Sequence, residues 1–545
     1  MRIAPTPGLQ NDMTPVSAGP VWLTGINVRF RLEQCETIGL FGPMRDVGGN
    51  QIVLPASTYP YRRAFVTPSI TEGAVLFGSA SKVVLADYDP NSIPATGTRW
   101  RTLDLTPPGL VPAVDVVPVP AAANTTVPPV WWFADQDDLV IGSRANINGE
   151  PVYVWDRNRT NTFVPLAGSP TGAVGGAIVN RIAVLFGCTS FTEPDPRRYM
   201  TVRWSDRFDF ENWTPSDITT SGELQLEGGS RIVGGGATDY GLVVWTDRRM
   251  ALLTETFDLD SVFDRRYVGG GRGLLASNAW CEADGRVWWF DESRVLNVFD
   301  GGQPQQISNP LKHATIERLN DAQSGRAFLE PNPEFGEIIL HYPTGTDDVP
   351  DRQLVYNYLM AAWSVWSLKR TGWSRRSGVI RTTAVDDQNR VWFHDLDVAL
   401  PNAYVTGPGN PNDPNDALTE AYPTPRDTPA ADDVEPFDFG VITNLVTLED
   451  VTASAWRLTR VLTDHLPSPA VGAEDDTFDV VVTGYGEAQT VTAVAQDWQT
   501  HELGENGKDF RVGGKAIQIG VYGKQIKSVI RFGGFDVTAA PGGER

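Results

Sequence analysis

One hairpin pattern recurs along this 545-residue chain: an apolar run, a short polar turn, then a second apolar run. It stands as Val75-Leu76-Phe77 before Val83-Val84-Leu85, and as Trp131-Trp132-Phe133 before Leu139-Val140-Ile141. It returns as Leu242-Val243-Val244-Trp245 before Ala251-Leu252-Leu253. The fullest copy is Val287-Trp288-Trp289-Phe290 before Val295-Leu296-Asn297-Val298-Phe299. Ile182-Ala183-Val184-Leu185-Phe186, Ile338-Ile339-Leu340 and Val391-Trp392-Phe393 belong to the same set. Successive copies lie roughly 45 to 60 residues apart, the spacing of four-stranded β-propeller blades.

The turns agree with this. Asn180-Arg181, Asp284-Gly285-Arg286 and Asp387-Gln388-Asn389-Arg390 introduce copies, and Asp-Gly favours a hairpin whose turn needs positive φ. Asp135, Asp247 and Asp291 each start a central turn. Fifty-three glycines and 40 prolines punctuate short runs rich in Val, Ile, Phe and Trp, and a 3.6-residue period is almost absent. The sequence therefore predicts an all-β fold, a β-propeller of about six to eight blades with additional β-rich domains. The competing arrangement is a set of unrelated hairpins in sandwich domains. One helix is expected, from Asn309-Pro310 through Leu311, Ile316 and Leu319 to about Gly325.

The propeller repeats occupy residues 66–400. Residues 1–65 read as an amino-terminal arm and a first β segment outside the period. Residues 401–436 form an excursion or linker rich in Pro, Asp and Asn. Residues 437–545 return to a β pattern, as a carboxy-terminal sandwich or a ring-closing β domain, with Phe478-Asp479-Val480-Val481-Val482 and Ile526-Lys527-Ser528-Val529-Ile530-Arg531-Phe532 among its strands.

A net charge of −22 argues against a basic face that grips nucleic acid, and against docking on an anionic membrane. The amino end has no apolar stretch, so no signal peptide is expected, and the uncharged run Val116–Ala134 is broken by prolines. No membrane-spanning segment is expected. Cys35, Cys188 and Cys281 are too few and too dispersed for a disulfide framework or a metal site. No cofactor is expected.

The search for chemistry yields no catalytic set, and the chain is read as not an enzyme. His313, His341, His394, His465 and His501 stand apart from one another. Gly269-Gly270-Gly271-Arg272-Gly273 lacks the Lys-Ser/Thr and helix of a phosphate loop, and reads as a tight inter-strand turn. Asp258, Asp260 and Asp264 lack the glycine of a calcium loop. Asp413, Asp416 and Glu420 lie in the Pro-rich excursion and offer oxygen ligands for calcium, but read as a solvated surface loop. Trp204-Ser205-Asp206 with Asp209 and Trp213 is similar to the aspartate-box turn of some glycosidase propellers, where it braces a hairpin. A propeller glycosidase would also need a pair of carboxylates facing a sugar; Asp291 and Glu292 are candidates, of a kind any acidic chain supplies by chance. In Trp131-Trp132 and Trp288-Trp289, alternation along a strand puts one ring in the core and the other outward, as an interface anchor or a sugar platform.

From Gly222 to Ile307 the motifs follow a recognisable order. Glu223-Leu224-Gln225-Leu226-Glu227 leads to Gly228-Gly229, Ile232-Val233-Gly234-Gly235 and Gly241-Leu242-Val243-Val244-Trp245-Thr246-Asp247. Arg265-Arg266-Tyr267-Val268-Gly269, Gly273-Leu274-Leu275-Ala276-Ser277-Asn278-Ala279, Asp284-Gly285-Arg286-Val287-Trp288-Trp289 and Val298-Phe299-Asp300-Gly301-Gly302 complete it. Asn27-Val28-Arg29-Phe30-Arg31, Val202-Arg203-Trp204-Ser205-Asp206, Leu354-Val355-Tyr356-Asn357-Tyr358 with Trp363-Ser364-Val365-Trp366, and Gly533-Gly534 fit the same scheme. This succession resembles the tail nozzle proteins of short-tailed bacteriophages, also called tail tubular protein B.

The resemblance implies a structural virion protein, six copies of which form a ring extending the tail tube. Its implied partners are itself as a homohexamer, the head-to-tail adaptor protein, tail fibres or spikes, and genome DNA passing through the lumen without sequence-specific binding. It implies assembly in the host cytoplasm and residence in the virion tail. It would make the Pro-rich excursion, with Asp413, Asp416 and Glu420, the candidate for a gate or an inter-subunit contact. An acidic lumen would repel DNA phosphates and let the genome slide. The alternative is a glycan-binding or glycan-cleaving β-propeller on a virion or outside the cell. A third class is a non-tail virion adhesin built from the same hairpins.

Overall fold

The computed structural model describes residues 2–3, 5–10, 21–46, 50–57, 59–67, 74–88, 100–112, 129–136, 139–147, 149–192, 197–256, 258, 262–269, 272–374, 382–396, 437–443, 446–447, 456–468, 477–485, 493–502, 507–514, 516–526 and 529–541. Among them are seven four-stranded antiparallel sheets arranged as propeller blades. Their inner strands are, in chain order, Arg63–Thr67, Trp131–Gln136, Gly175–Val179, Ile232–Thr238, Trp280–Ala283, Phe328–Asn332 and Gly372–Ser374. All seven line one axial cavity of about 380 Å³.

Blades 1 to 6 are each continuous in sequence. Blade 7 is not: Gly372–Ser374, Thr383–Val385 and Val391–Leu396 are completed by Leu40–Pro43, whose Gly42 lies opposite Phe393. The ring is thus shut by a strand from far upstream. Gly39 must pass close to blade 7 there, since a Cβ at 39 would stand 2.7 Å from the Asp395 Cα.

Two larger sheets make a β-sandwich from both ends of the chain. One orders Gly507–Gly514, Trp456–Ser468, Val529–Pro541, Gln34–Thr37 and Val28–Arg31, with Arg2–Ile3 also on Val529–Pro541. The other orders Thr6–Leu9, Val21–Ile26, Phe437–Thr443, Ala516–Ile526, Thr477–Tyr485 and Ala493–Glu502. Aromatic rings join the two faces: Phe532 meets Phe478 at 5.6 Å and Phe439 at 5.9 Å, and Trp22 meets Phe535 at 5.9 Å. The sandwich lies along the outer strand of blade 6, where the Asn27 amide donates to the Val365 carbonyl and the Trp366 indole to that of Val28. Its core is continuous with that of the adjoining blades.

Two expectations are corrected. The helix expected from Asn309 is instead a series of turns leading into short 3-10 helices at Ile316–Arg318 and Asp321–Arg326. The Asn320 side chain accepts from the Ala322 amide and starts the second, so the segment restarts instead of propagating. The outward tryptophans are also not outward. Trp131, Trp132, Trp288 and Trp289 are all buried, because a propeller blade is covered on both faces by its neighbours. Trp131 packs on Gly78 of blade 1, and Trp132 on Gly176 of blade 3. Trp288 stacks on Tyr358 of the blade 6 side, and Trp289 meets Trp245 of blade 4.

Candidate functional site

Three polar features stand out on this framework: the axial channel, the aspartate turns, and the junction between sandwich and propeller. The channel wall is mostly small or aromatic, with Gly176, Ala177, Gly235 and Gly236 beside Trp132 and Trp280. Glycine is required where an indole covers the wall, since a Cβ on Gly236 would stand 2.5 Å from the Trp280 ring. Three carboxylates face the channel and each is engaged. Glu330 pairs with Arg63 at 2.9 Å, Asp135 with Arg157 at 2.8 Å, and Glu282 accepts from the Asp239 amide at 2.9 Å.

The turn aspartates brace backbone. Asp291 Oδ1 accepts from the Ser293 and Val295 amides, and its Oδ2 accepts from Asn297 Nδ2. Asp291 is fully buried, so the Asp291–Glu292 pair offers one turn brace beside one exposed acid. Burial, then Asp291 and Asp247, push the Glu292 carboxyl above its ordinary value. Asp247 accepts from the Ser230 amide at 2.8 Å. Asp206 accepts from the amides of Arg207 and Thr220 and from the Thr220 hydroxyl. Burial works to raise its pKa, but these hydrogen bonds outweigh it and hold the carboxyl below the usual range. Trp213 is buried beneath that loop. Asp135 differs from the other two: it stands in the inner strand of blade 2, not at a turn between second and third strands.

The sequence search missed the junction. Arg29, on the sandwich strand Val28–Arg31, is buried and reaches Glu337 of blade 6 at 3.1 Å and Asp395 of blade 7 at 2.8 Å. Its guanidinium also lies 3.7 Å over the Phe335 ring. Asn332 Nδ2 donates to both Glu337 and Asp395. Behind them, Arg531 of the last strand pairs with buried Glu36 at 2.8 Å. One guanidinium serves two carboxylates here. Burial pushes the Glu337 carboxyl up to about 8, against the pull of Arg29 and with the help of Asp395 and Glu36. Burial disfavours the charge on Arg29, but Asp395 and Glu337 outweigh it and raise its pKa. No local motif announces this cluster. Alternation places Val28 and Phe30 inward and Arg29 outward, and outward here means into blades 6 and 7.

Among the described residues no group of three or more His, Cys, Asp or Glu is placed to hold a metal ion. Asp258 and Asp264 are exposed, and Asp260 lies outside the described residues. So do Gly270 and Gly271; Gly273 sits against the Asp247 carbonyl in the connection between blades 4 and 5. Asp413, Asp416 and Glu420 also lie outside the described residues. Among the described residues, no helix is long and apolar enough to cross a membrane.

No family model matches the chain, and no curated protein matches it. Solved structures similar to it include the computationally designed Ika8 protein, at 13% identity and a TM-score of 0.36 over 65% of this chain and 99% of that one. Another is the WD40 domain of Toxoplasma gondii coronin, at 10% identity and a TM-score of 0.35 over 69% and 86%. BamB from Moraxella catarrhalis is similar at 11% identity and a TM-score of 0.33 over 63% and 97%.

Proposed function

We propose that this chain is a structural subunit of the tail nozzle of a short-tailed phage, assembling as a homo-oligomeric ring that binds the adaptor above and retains, then conducts, the DNA genome. The observation that carries the reading is the ordered run of motifs from Gly222 to Ile307. That run coincides with the outer strand of blade 3 and the whole of blades 4 and 5. The polar geometry supports a framework role, since each channel carboxylate is engaged and Asp206, Asp247 and Asp291 hold backbone. Genome DNA would run between copies, not along a propeller axis. A cavity of about 380 Å³ holds about a dozen waters, whereas the major groove alone of a duplex is about 12 Å wide. The net charge of −22 then favours sliding over sticking in a lumen shared by several copies.

The glycan-binding reading keeps one observation of its own. Trp498, on the edge strand Ala493–Glu502 of the sandwich, is 54% exposed and stacks on Tyr522 at 5.9 Å. An exposed indole held flat is a platform on which a sugar face can lie.

Light scattering with negative-stain class averages separates the two. The nozzle reading expects a mass of several 59.6 kDa copies and a ring with a central hole, alone or on the adaptor. A particle that stays at single-copy mass with adaptor present, and loses glycan binding on Trp498→Ala, contradicts it.

A further inference from the structure

We propose that the seam between blades 6 and 7 is an acid-sensitive lock, held shut by neutral His341 and His394 and opened by their protonation. The inference stands on the packing of blade 7 and does not depend on the nozzle reading. His341, on Glu337–Tyr342 of blade 6, is fully buried. Its ring stacks on Phe328 at 4.3 Å and 7°, and meets Trp373 of blade 7 at 5.0 Å. Neither of its ring nitrogens has a hydrogen-bond partner among the described residues. Against the same indole, His394 lies 4.1 Å from Trp373, and it lies 4.4 Å from Phe41 of the closing strand. Two imidazoles therefore meet the one tryptophan of blade 7's inner strand.

The charges around them favour neutrality. Arg370, buried in the connection from blade 6 to blade 7, donates through Nε to His394 Nε2 at 2.9 Å. That bond needs a lone pair on Nε2, so His394 carries its proton on Nδ1 and is neutral. A second proton would place an imidazolium against a guanidinium. Arg29 bears on His394 from the sandwich, and its own carboxylates, Glu337 and Asp395, are turned to it. Asp386, at the next turn of blade 7, is taken by Arg390 and Trp392. Gln353, opposite His341 in register, is bonded to the Leu368 backbone through both amide atoms. The faces of Phe328 and Trp373 offset only part of the cost of a buried imidazolium. Burial first, and Arg370 second, hold both histidines well below their ordinary value of 6.5.

The sign follows. A base whose folded pKa is depressed contributes stability that is present above its unfolded value and lost as pH falls below it, here below about 6.5. The blade most exposed to this loss is blade 7, whose outer strand joins it from a distant part of the chain.

The test is hydrogen exchange on the full chain from pH 7.5 to 5, with each peptide corrected for its intrinsic rate and referred to blade 3 in the same sample. Protection of Gly372–Ser374, Val391–Leu396 and Leu40–Pro43 should fall relative to blade 3 by up to about tenfold per pH unit for each histidine protonated on opening, less one such factor where opening also frees Glu337, whose raised pKa acts in the opposite sense. His394→Gln keeps an acceptor for Arg370 and should remove one proton from that slope. His341→Phe, which loses no hydrogen bond, should remove the other. Wild-type protection at the seam that tracks blade 3 down to pH 5 overturns the proposal without reference to any variant. So does an unchanged slope in either folded variant.

Discussion

Blades 5 and 7 have the same four-stranded plan and are held together differently. Blade 5 is contiguous from Trp280 to Ile307, and its turns are written locally. Asp284 and Gly285 both have positive φ, as a two-residue hairpin turn requires, and Asp291 braces the next turn from within. Blade 7 takes its outer strand from Leu40–Pro43, and its neighbourhood is tied by Arg29 from the sandwich to Glu337 and Asp395. Local chemistry shapes a blade. Closing the ring requires residues hundreds of positions apart, and it concentrates buried charge where they meet.

The largest effect should separate these two kinds of support. Arg29→Ala leaves Glu337 and Asp395 buried around an empty place, and should cost roughly 3–5 kcal/mol in urea unfolding. A cost within the range of a surface substitution would remove the junction from the account. The second contrast is in pH. Because the folded pKa of Glu337 is raised, its contribution is full below about 4.5 and lost as pH rises toward about 8. Stability should fall across that window by at most about 1.4 kcal/mol per pH unit, and Glu337→Gln should flatten the fall. This slope is opposite in sign to that of the histidine seam.

Smaller effects compare the turns themselves. Asp386 accepts from the Gln388 and Arg390 amides, from Arg390 Nε and from Trp392 Nε1, while Asp291 holds three donors. Asp386→Ala should therefore cost more than Asp291→Ala, about 2 against about 1 kcal/mol by thermal denaturation, and the reverse order would show that donor count does not govern these turns. Gly285→Ala forces a methyl group into φ +64° with open space around it. It should cost about 1 kcal/mol, strain alone.

What the sequence showed follows the same division. The repeated Val287–Phe290 and Leu242–Trp245 runs, with the Asp-Gly turn, were enough for an all-β propeller, because each is a local consequence of period and turn chemistry. Register across blades was not local. Asp135 resembles Asp247 and Asp291 in sequence but stands in an inner strand, while Asp386, in the same role as Asp291, passes unnoticed beside Asp387. Alternation marks one tryptophan of each pair as outward, yet a blade has no outward face. The junction was least legible: Arg29 sits in an ordinary strand pattern, and its partners lie about 300 and 365 positions away, a separation no local pattern encodes. The histidines of the seam likewise become a pair only when Trp373 is placed against both.

The most direct test of closure by both chain ends uses a native thiol. Cys35 lies opposite Phe532 in register, the sandwich strand near the start of the chain against the last one. Directly opposed antiparallel residues have Cα atoms about 4.5–5.5 Å apart, within disulfide range. Because burial pushes the Cys35 thiol up and shields it, the cross-link is best formed during refolding. Phe532→Cys refolded from urea in a glutathione redox buffer should form an intramolecular cross-link to Cys35, and the oxidised protein should unfold at higher urea than the same variant reduced. Thiols that stay free in the folded protein, or that link only between molecules, would contradict a sandwich built from both ends.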